Sequence, residues 1–423
     1  MKIKVINIVN HPPAYEGHRG RPRPEVNWDL PNGSWVGIWG YEWQDIAGNK
    51  VLGVADDLEY EVWQPDLRAD KIYGHTFKSG LVHKLFPTVK KKFIHGFHLR
   101  EDLYSEILMY ELEKEVNSGQ PIIIHLNAGF RFINIPILKK FYKKVPIIGQ
   151  FYTNSRDIFQ TPKTKNILKL INAAKKRFEL GNYYRKIKYI VPSVTEGVDY
   201  LEKKFGTKVF YRNFGNFGRD FNDWKRDKTK LEARKTLGID EEKFVMFSSS
   251  RLTPIKQIDK MLEVLGKLKH DNFICYISGR GDDGYEKYLN DIIEKNNLQS
   301  KIEFIGYVDF VLLKDYYQSA DLVISTSYQD AGPAPVSNAA ALEAPALLTA
   351  TGIGYEFYKQ HDVGIIVPVD DYDKWLIEIE NVINGKEVKI ADRKDIEKYG
   401  DWEVISNYYY NIYKNIVKTK QKV

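Results

Sequence analysis

The sequence predicts an α/β protein with two domains, each built on a doubly wound parallel sheet. Short apolar segments of strand length alternate with longer amphipathic segments of helix length through both halves of the chain, which is the pattern of repeated βαβ units. The chain has 423 residues, too many for one typical domain and enough for two. We place the domains at residues 1–223 and 224–400, because the stretch from Trp224 to Lys235 is polar and charged.

The composition favours a soluble protein of the cytoplasm. Hydrophobic residues make up 43% of the chain and charged residues 28%, a balance typical of globular rather than disordered proteins. No apolar run is long enough to cross a bilayer, and the first residues lack the apolar core of a signal peptide. The single cysteine, Cys275, excludes an intrachain disulfide, and no cysteine–histidine cluster has zinc spacing.

Basic blocks carry part of the net charge of +7, and they lie in the first half of the chain, at residues 90–92, 139–140, 143–144 and 175–177. Solvated helix faces are the ordinary explanation of such blocks. The functional alternative is a peripheral contact with the inner face of an anionic membrane, or with a phosphate-bearing acceptor. Nucleic acid is not predicted as a partner, because no recognition motif accompanies the charge.

The first domain begins with a predicted strand at residues 2–10, followed by a loop to residue 32 that is rich in proline, histidine and arginine. Gly33 and Ser34 open a helical pattern of tryptophans spaced four apart, which is typical of a helix that packs on a sheet. The later segments predict strands at 58–64, 121–126, 146–152 and 188–192, and helices at 101–117, 132–142 and 193–205.

Histidines are frequent in the first domain, but their spacing fits no metal site. Four of them are interpreted as side chains of the surface or of a groove, namely His75, His83, His95 and His98. His125 lies in the predicted strand 121–126, near its end, where a buried core histidine and a functional one both fit the pattern.

The second domain repeats the alternation of strands and helices. Strands are predicted at 244–247, 273–277, 302–305, 322–324 and 363–369, and helices at 258–268, 285–296 and 312–320. A glycine-rich turn is predicted at residues 351–354. After the last strand, apolar residues recur at helical spacing as Trp402, Ile405, Tyr409, Ile412 and Ile416.

The stretch from Asp321 to Thr349 carries the strongest signal of function. Polar residues and prolines separate the strand 322–324 from a helical segment that begins near Pro335, a residue suited to the first turn of a helix. Such a loop directs free amide N–H groups and the positive end of the helix dipole at one point, which suits a phosphate. Asp330 and Asn338 flank that point. An ordinary βα connection without a ligand has the same pattern.

This stretch resembles the donor-domain loop of retaining GT-B glycosyltransferases of family four, whose pattern is Ser-x-x-Glu-Gly followed after six residues by Glu-Ala. Ser327 matches the serine, Asp330 the first glutamate and Asn338 the second, so both acidic positions depart from the commonest form. The stretch SSSRLTPIK resembles the Gly-Arg-Leu-x-x-x-Lys-Gly loop of the family through Arg251 and Lys256. The resemblance implies the GT-B fold, with two Rossmann-like domains facing a cleft and a final helix, 401–423, that packs back on the first domain.

The same resemblance implies a role for each matched residue. Arg251 and Lys256 would stabilise the negative charge that develops on a departing diphosphate, since a guanidinium and an ammonium do so without a metal. Asp330 would hold hydroxyl groups of the transferred sugar. The donor nucleotide would be bound by Gly279, Gly306, Tyr307, Ala331, Gly332, Pro333, Ala334 and Asn338, with Gly306 and Tyr307 at the base and Asn338 at the ribose. The acceptor would lie near Gly33, Ser34, His125 and Tyr152.

The predicted function is therefore transfer of a sugar from a UDP- or GDP-sugar to a glycan or lipid-linked acceptor, with retention of configuration, in the synthesis of surface polysaccharide or glycoconjugates. The family uses no well-placed protein nucleophile, so none is assigned, and neither a metal nor a cofactor is predicted. The alternatives are a non-catalytic sugar-nucleotide-binding protein, a GT-B sugar-nucleotide epimerase and a phosphorylase, although no pyridoxal lysine can be singled out.

Overall fold

The computed structural model describes residues 2–9, 55–66, 69–76, 80–95, 98–127, 134–151, 166–192, 202–204, 206–210, 221–330 and 334–420. Within this part of the chain, two compact units are present. The first consists of the described residues up to Phe210 together with the last helix, Trp402–Lys420. The second runs from Phe221 to Asp401.

A mostly parallel sheet forms the centre of the first unit. Its described strands, with those of a separate hairpin, are β1 (Ile3–Val9), β2 (Leu58–Asp66), β3 (Tyr73–Thr76), β4 (Val82–Pro87), β5 (Val89–His95), β6 (His98–Tyr104), β7 (Ile122–Asn127), β8 (Ile147–Phe151), β9 (Tyr189–Pro192) and β10 (Lys208–Val209). The sheet order is β10-β9-β8-β7-β1-β2-β4-β3, and only β3 runs antiparallel to its neighbour. Every residue of the central strand β1 is buried, as expected for a strand covered on both faces.

Helices α1 (Glu106–Val116), α2 (Asn134–Phe141) and α3 (Ile167–Tyr184) also belong to the first unit. α1 begins at Ser105, whose Oγ accepts a hydrogen bond of 3.1 Å from the Leu108 backbone N–H. Leu108 and the α2 residue Ile137 are buried in one apolar cluster with the sheet residue Ile124. The helix predicted at 101–117 therefore starts later than expected, because β6 pairs with β5 as far as Tyr104.

The histidine-rich segment between residues 73 and 100 forms strands. His75 and His83 are cross-strand partners in β3 and β4. His83 is completely buried, and its Nε2 lies 3.1 Å from Gln64 Oε1. The interpretation of His83 as a surface or groove residue is wrong, since pairing of β4 with β2 carries it into the interior of the sheet.

The second unit contains a sheet of six parallel strands in its described part. They are β11 (Phe244–Ser249), β12 (Phe273–Ser278), β13 (Ile302–Gly306), β14 (Leu322–Ser325), β15 (Ala346–Thr349) and β16 (Ile365–Val367), in the order β13-β12-β11-β14-β15-β16. If β11 is numbered as strand 1 of this sheet, the strand order is 3-2-1-4-5-6. The winding direction therefore reverses between β11 and β14. Ligands of such sheets bind beyond the carboxyl ends of the strands at this reversal point.

Helices cover both faces of the second sheet. They are α4 (Lys230–Leu237), α5 (Ile258–Leu265), α6 (Asp283–Lys295), α7 (Phe310–Ser319), α8 (Ala334–Ala341), α9 (Gly352–His361), α10 (Tyr372–Ile383) and α11 (Arg393–Gly400). Successive strand residues point to opposite faces. Phe247 of β11 accordingly joins Ala339 of α8 in one apolar cluster, while Met246 joins Leu262 of α5 in the other.

Four described helices of the second unit lie where the sequence predicts none, namely α4, α9, α10 and α11. The predicted turn at 351–354 contains the start of α9. The polar stretch 224–235 contains most of α4, where Thr229 and Glu232 form a reciprocal capping box. The capping-box spacing is present in the sequence, but the segment has few apolar residues and so lacks the periodicity that predicts a helix.

The last helix, α12 (Trp402–Lys420), packs on the first sheet. Ile405, Tyr409 and Ile412 are buried there in one cluster with Val5 of β1 and Tyr60 of β2. These α12 residues belong to the apolar stripe that the sequence predicts. Among the described helices, none is both long enough and apolar enough to cross a bilayer.

Candidate functional site

The candidate site lies at the carboxyl edge of the second sheet, where the winding reverses. β11 ends at Ser249, and the chain continues through Arg251 into a 3-10 turn, Pro254–Lys256. β14 is the parallel neighbour of β11 and leads to Asp330. Because the two strands are parallel neighbours, the loops that follow them meet at the same edge.

An ion pair joins these two loops. The Lys256 ammonium contacts Oδ2 of Asp330, and each side chain is only 14% exposed. The Ser327 hydroxyl donates a hydrogen bond of 3.2 Å to the same carboxylate oxygen. A positive charge and an oriented negative charge are therefore held side by side at the reversal point of the sheet.

Hydrogen bonds to the backbone hold the two loops together. The Thr326 hydroxyl donates to the Lys256 carbonyl at 2.8 Å, and the Tyr328 N–H donates to the Ile255 carbonyl at 2.8 Å. In the orientation that satisfies its hydrogen bonds, the Gln257 amide donates to the Thr326 carbonyl at 2.8 Å. The ion pair is thus supported by contacts that do not involve either charged group.

The end of β15 supports the Asp330 loop from the other side. The Thr349 hydroxyl donates to the Ser327 carbonyl at 2.7 Å. The Thr351 hydroxyl accepts a hydrogen bond of 3.2 Å from the Asp330 N–H. Both interactions hold the backbone on either side of Tyr328, so the position of the Asp330 carboxylate is determined by three neighbouring strand ends.

Arg251 lies at the same sheet edge, directly after β11. Its side chain is exposed and makes no hydrogen bond or ion pair with any other residue that the structure describes. The adjacent backbone is fixed, because the Ser250 N–H donates to the Ser278 carbonyl at 2.9 Å. A planar guanidinium on a fixed backbone is well suited to bind a phosphate in a bidentate manner.

Glycines allow the strand ends at this edge to approach closely. A Cβ at Gly279, where φ is +143°, would lie 1.8 Å from the Ser250 carbonyl oxygen. The Gly279 N–H donates to the Gly306 carbonyl at 2.8 Å. Gly306 has φ +64°, and the Arg280 guanidinium lies directly over it, 3.0 Å from where a Cβ would be. Packing therefore explains Gly279, and the left-handed backbone explains Gly306. The contact of both glycines, and of the half-buried Tyr307, with a donor stays a prediction.

Asn338 lies in the core of the second unit. Ala334 begins α8, and Asn338 follows one turn later with 6% of its surface exposed. Its Nδ2 donates a hydrogen bond of 3.4 Å to the Tyr317 hydroxyl of α7. The structure thus places Asn338 between two helices, and its role at a ribose stays a prediction.

His125 lies in β7 of the first unit and is almost completely buried. Its Nδ1 is 2.9 Å from the Tyr413 hydroxyl of α12. Burial lowers the pKa of His125 to about 4, so the imidazole is neutral at pH 7. A core role is therefore observed, and its role at an acceptor stays a prediction. The other predicted site residues, Gly33, Ser34, Tyr152, Ala331, Gly332 and Pro333, lie outside the described residues.

A family comparison identifies the second unit. Residues 229–401 match the sequence profile of the family described as glycosyl transferases group 1. The match contains Arg251, Lys256 and Asp330, the residues at the edge described above. The second unit belongs to the glycosyl transferases group 1 family.

Curated relatives match parts of this chain. An uncharacterized glycosyltransferase of Methanocaldococcus jannaschii is 28% identical over 214 residues, which cover 49% of this chain and 53% of that protein. An alpha-galactosylglucosyldiacylglycerol synthase of Streptococcus pneumoniae is 30% identical over 121 residues, or 28% of this chain and 32% of that protein. The chain therefore spans about half or less of the length of these relatives.

Solved structures resemble this protein over nearly its whole length. A sucrose-phosphate synthase from Thermosynechococcus elongatus has a TM-score of 0.67 at 12% identity, covering 99% of this chain and 100% of that one. Anabaena Alr3699/HepE, solved in complex with UDP and glucose, has a TM-score of 0.63 at 16% identity, covering 97% and 99%. The predicted GT-B class, with two parallel-sheet domains, is confirmed.

Several residues that support the group 1 site were not singled out from the sequence. They are Gln257, Thr326, Thr349 and Thr351. The three threonines share one signal, a small polar side chain at or just after a strand end, whereas Gln257 ends the 3-10 turn that follows β11. That signal is too frequent in α/β proteins to identify them without the strand order. Among the described residues, no group of three or more His, Cys, Asp or Glu side chains is placed to hold a metal ion.

Proposed function

We propose that this protein is a glycosyltransferase that moves a sugar from a UDP- or GDP-sugar to a glycan or lipid-linked acceptor, with retention of configuration. The observation that carries the proposal is the Lys256 ammonium beside the Asp330 carboxylate at the reversal point of the sheet. A diphosphate needs a cation, and sugar hydroxyl groups need an anionic acceptor, within one small site. Both groups are present there, in a unit of the matching family.

The reaction places a developing negative charge beside fixed positive groups. As the bond between the anomeric carbon and the phosphate oxygen breaks, the diphosphate gains charge. Lys256, and Arg251 at the same edge, would stabilise that charge from backbone that is already held in place. Asp330 would accept hydrogen bonds from the sugar. The acceptor hydroxyl would attack from the face that the phosphate leaves, and its proton would pass to the leaving phosphate.

Relatives suggest which donors and acceptors to test first. The Anabaena protein was solved with UDP and with UDP-glucose, which favours a uridine nucleotide over a guanosine nucleotide. The name of the Streptococcus pneumoniae relative indicates a diacylglycerol glycolipid, which favours a lipid-linked acceptor. A role in surface polysaccharide or glycoconjugate synthesis is compatible with both.

The proposal places the protein in the cytoplasm, in peripheral contact with the inner face of a membrane. Helix α3 supports this contact, since Ile167, Ile171 and Phe178 are exposed and lie within about 40° of one another around the helix axis. Lys186, just after α3, lies 5.5 Å from the ring of Tyr142 at the end of α2. The basic last turn of α2 is therefore close to the C-terminal end of α3, and its positive charge would add attraction to anionic lipid.

Donor turnover by Arg251→Ala and Lys256→Ala tests the proposed function. Release of nucleoside diphosphate from UDP- and GDP-sugars should fall at least about 100-fold in each variant, since one group that stabilises the transition state contributes that much. Lys287→Ala, which removes an exposed lysine of α6, should keep the wild-type rate.

The same measurement separates the alternative functions. Wild-type rates in Arg251→Ala and Lys256→Ala would remove both residues from the mechanism. A wild-type protein that binds the nucleotide sugar and never releases nucleoside diphosphate would be a binding protein. One that interconverts two nucleotide sugars without an acceptor would be an epimerase.

A further inference from the structure

Lys256 and Asp330 neutralise each other at the centre of the site. The ammonium contacts the carboxylate directly, and both side chains are about one-seventh exposed. Ser327 donates to the carboxylate oxygen that Lys256 contacts. In such a partly buried place, a charge that loses its partner is strongly destabilised unless another group replaces that partner.

The two loops cannot separate easily to relieve an unpaired charge. The Thr326 hydroxyl and the Tyr328 N–H bind carbonyls of the 3-10 turn that carries Lys256. The Thr351 hydroxyl binds the Asp330 N–H. A ligand must therefore meet the two charges on a fixed backbone, and the long side chain of Lys256 can reorient toward it without breaking these bonds.

We infer that Asp330 makes the site discriminate between a nucleotide sugar and the nucleoside diphosphate that remains after transfer. This inference rests on the proposed function. A nucleoside diphosphate that takes the Lys256 ammonium places its own negative charge beside a carboxylate that has lost its cation. A nucleotide sugar supplies hydroxyl donors to Asp330 at the same time, so both charges keep a partner. After transfer, the Lys256–Asp330 pair re-forms and favours release of the diphosphate.

Calorimetry with matched ligands tests this inference. The probes are UDP with UDP-glucose and GDP with GDP-mannose, and the pair that the wild type binds is used. The wild type should bind the nucleotide sugar more tightly than the diphosphate. In Asp330→Asn, the diphosphate should bind at least tenfold more tightly than it does to the wild type, and the preference for the nucleotide sugar should disappear.

Asp282→Asn is the matched control. Asp282 is an exposed acid that follows β12 at the same sheet edge, and its carboxylate caps α6 by accepting from the Tyr285 N–H. Asparagine caps a helix equally well, so this variant removes one negative charge and nothing else. Both affinities should stay within about twofold of the wild-type values.

A double-mutant cycle distinguishes release of the Lys256 ammonium from simple repulsion between the Asp330 carboxylate and the diphosphate. In a Lys256→Gln background, Asp330→Asn should tighten diphosphate binding by no more than about threefold, because no ammonium is left to release. Equal tightening in both backgrounds, or an unchanged ligand preference in Asp330→Asn, would overturn the inference while leaving the proposed function intact. If Asp330→Asn does not fold, Asp330→Ser replaces it. Absence of binding of every probe to the wild type would overturn the proposed function and this inference together.

Discussion

Among the glycines that the structure describes, Gly279 has the least space for a side chain. Its φ of +143° suits only glycine, and a Cβ would overlap the Ser250 carbonyl oxygen at 1.8 Å. The obstructing atom belongs to the backbone next to Arg251, which cannot move without disturbing the site. The family resemblance implies a donor contact for Gly279, and the structure adds a packing reason for the same residue.

Replacing Gly279 by alanine should therefore destabilise the second unit by more than about 3 kcal/mol, since backbone strain and steric overlap add. The control is Gly385→Ala, where φ is +97° but no atom lies within 4 Å of the new Cβ. That change should cost only about 1 kcal/mol, from strain alone. Urea unfolding of both variants measures the difference, and equal stabilities would contradict the overlap.

His125 should make the stability of the first unit depend on pH. Its pKa is lowered to about 4 by burial, whereas an exposed histidine in the unfolded chain titrates near 6.5. Below pH 6.5 the unfolded chain therefore takes up a proton that the folded chain does not. Stability is highest above pH 6.5 and falls as the pH decreases toward 4, by up to about 3 kcal/mol from this group.

The variant His125→Gln should flatten this dependence between pH 7 and pH 4.5 in urea unfolding followed by circular dichroism. An identical slope in wild type and His125→Gln would show that His125 is not the group responsible.

At the scale of elements, most strands followed from local pattern and several helix boundaries did not. The apolar runs that became β1, β7, β11 and β14 were predicted within about two residues, because a strand buried on both faces needs such a run. The hairpin of β5 and β6 was missed, since its lysine-rich strands lack that signal. Helix α4 was missed because its cap, rather than its apolar residues, marks its start.

Helix α3 is the element on which the proposed membrane contact depends. Binding to vesicles that contain anionic lipid should fall at least about fivefold when Ile171 and Phe178 are both changed to serine, because buried apolar area drives interfacial binding. Vesicles of zwitterionic lipid should bind the wild type weakly. Cosedimentation measures both.

Val311→Ser is the control for α3, since Val311 is an exposed apolar residue of α7 in the second unit. It should bind vesicles as the wild type does. If the α3 double variant still sediments with anionic vesicles, or instead loses self-association in gel filtration, the membrane contact is contradicted.

At the scale of the whole molecule, the proposed function implies that the protein supplies the positive charge for the reaction from its own side chains. Arg251 and Lys256 would take the role that a divalent cation has in other phosphate-transfer sites. Transfer should therefore continue at the wild-type rate, within about twofold, after dialysis against EDTA. A loss of activity that Mg²⁺ or Mn²⁺ restores would contradict metal independence, and Lys287→Ala treated in the same way controls for a general effect of the chelator.

The sequence by itself determined that the chain forms two parallel α/β units. Apolar runs and amphipathic spacing are local properties of the chain, so they predict strands and helices without knowledge of the tertiary structure. It also indicated Arg251, Lys256 and Asp330 through their motifs. Only the tertiary structure decided that Lys256 and Asp330, 74 residues apart, form an ion pair supported by Thr326 and Thr351. That contact depends on β11 lying beside β14, and strand order is set by the packing of the whole sheet rather than by any local pattern.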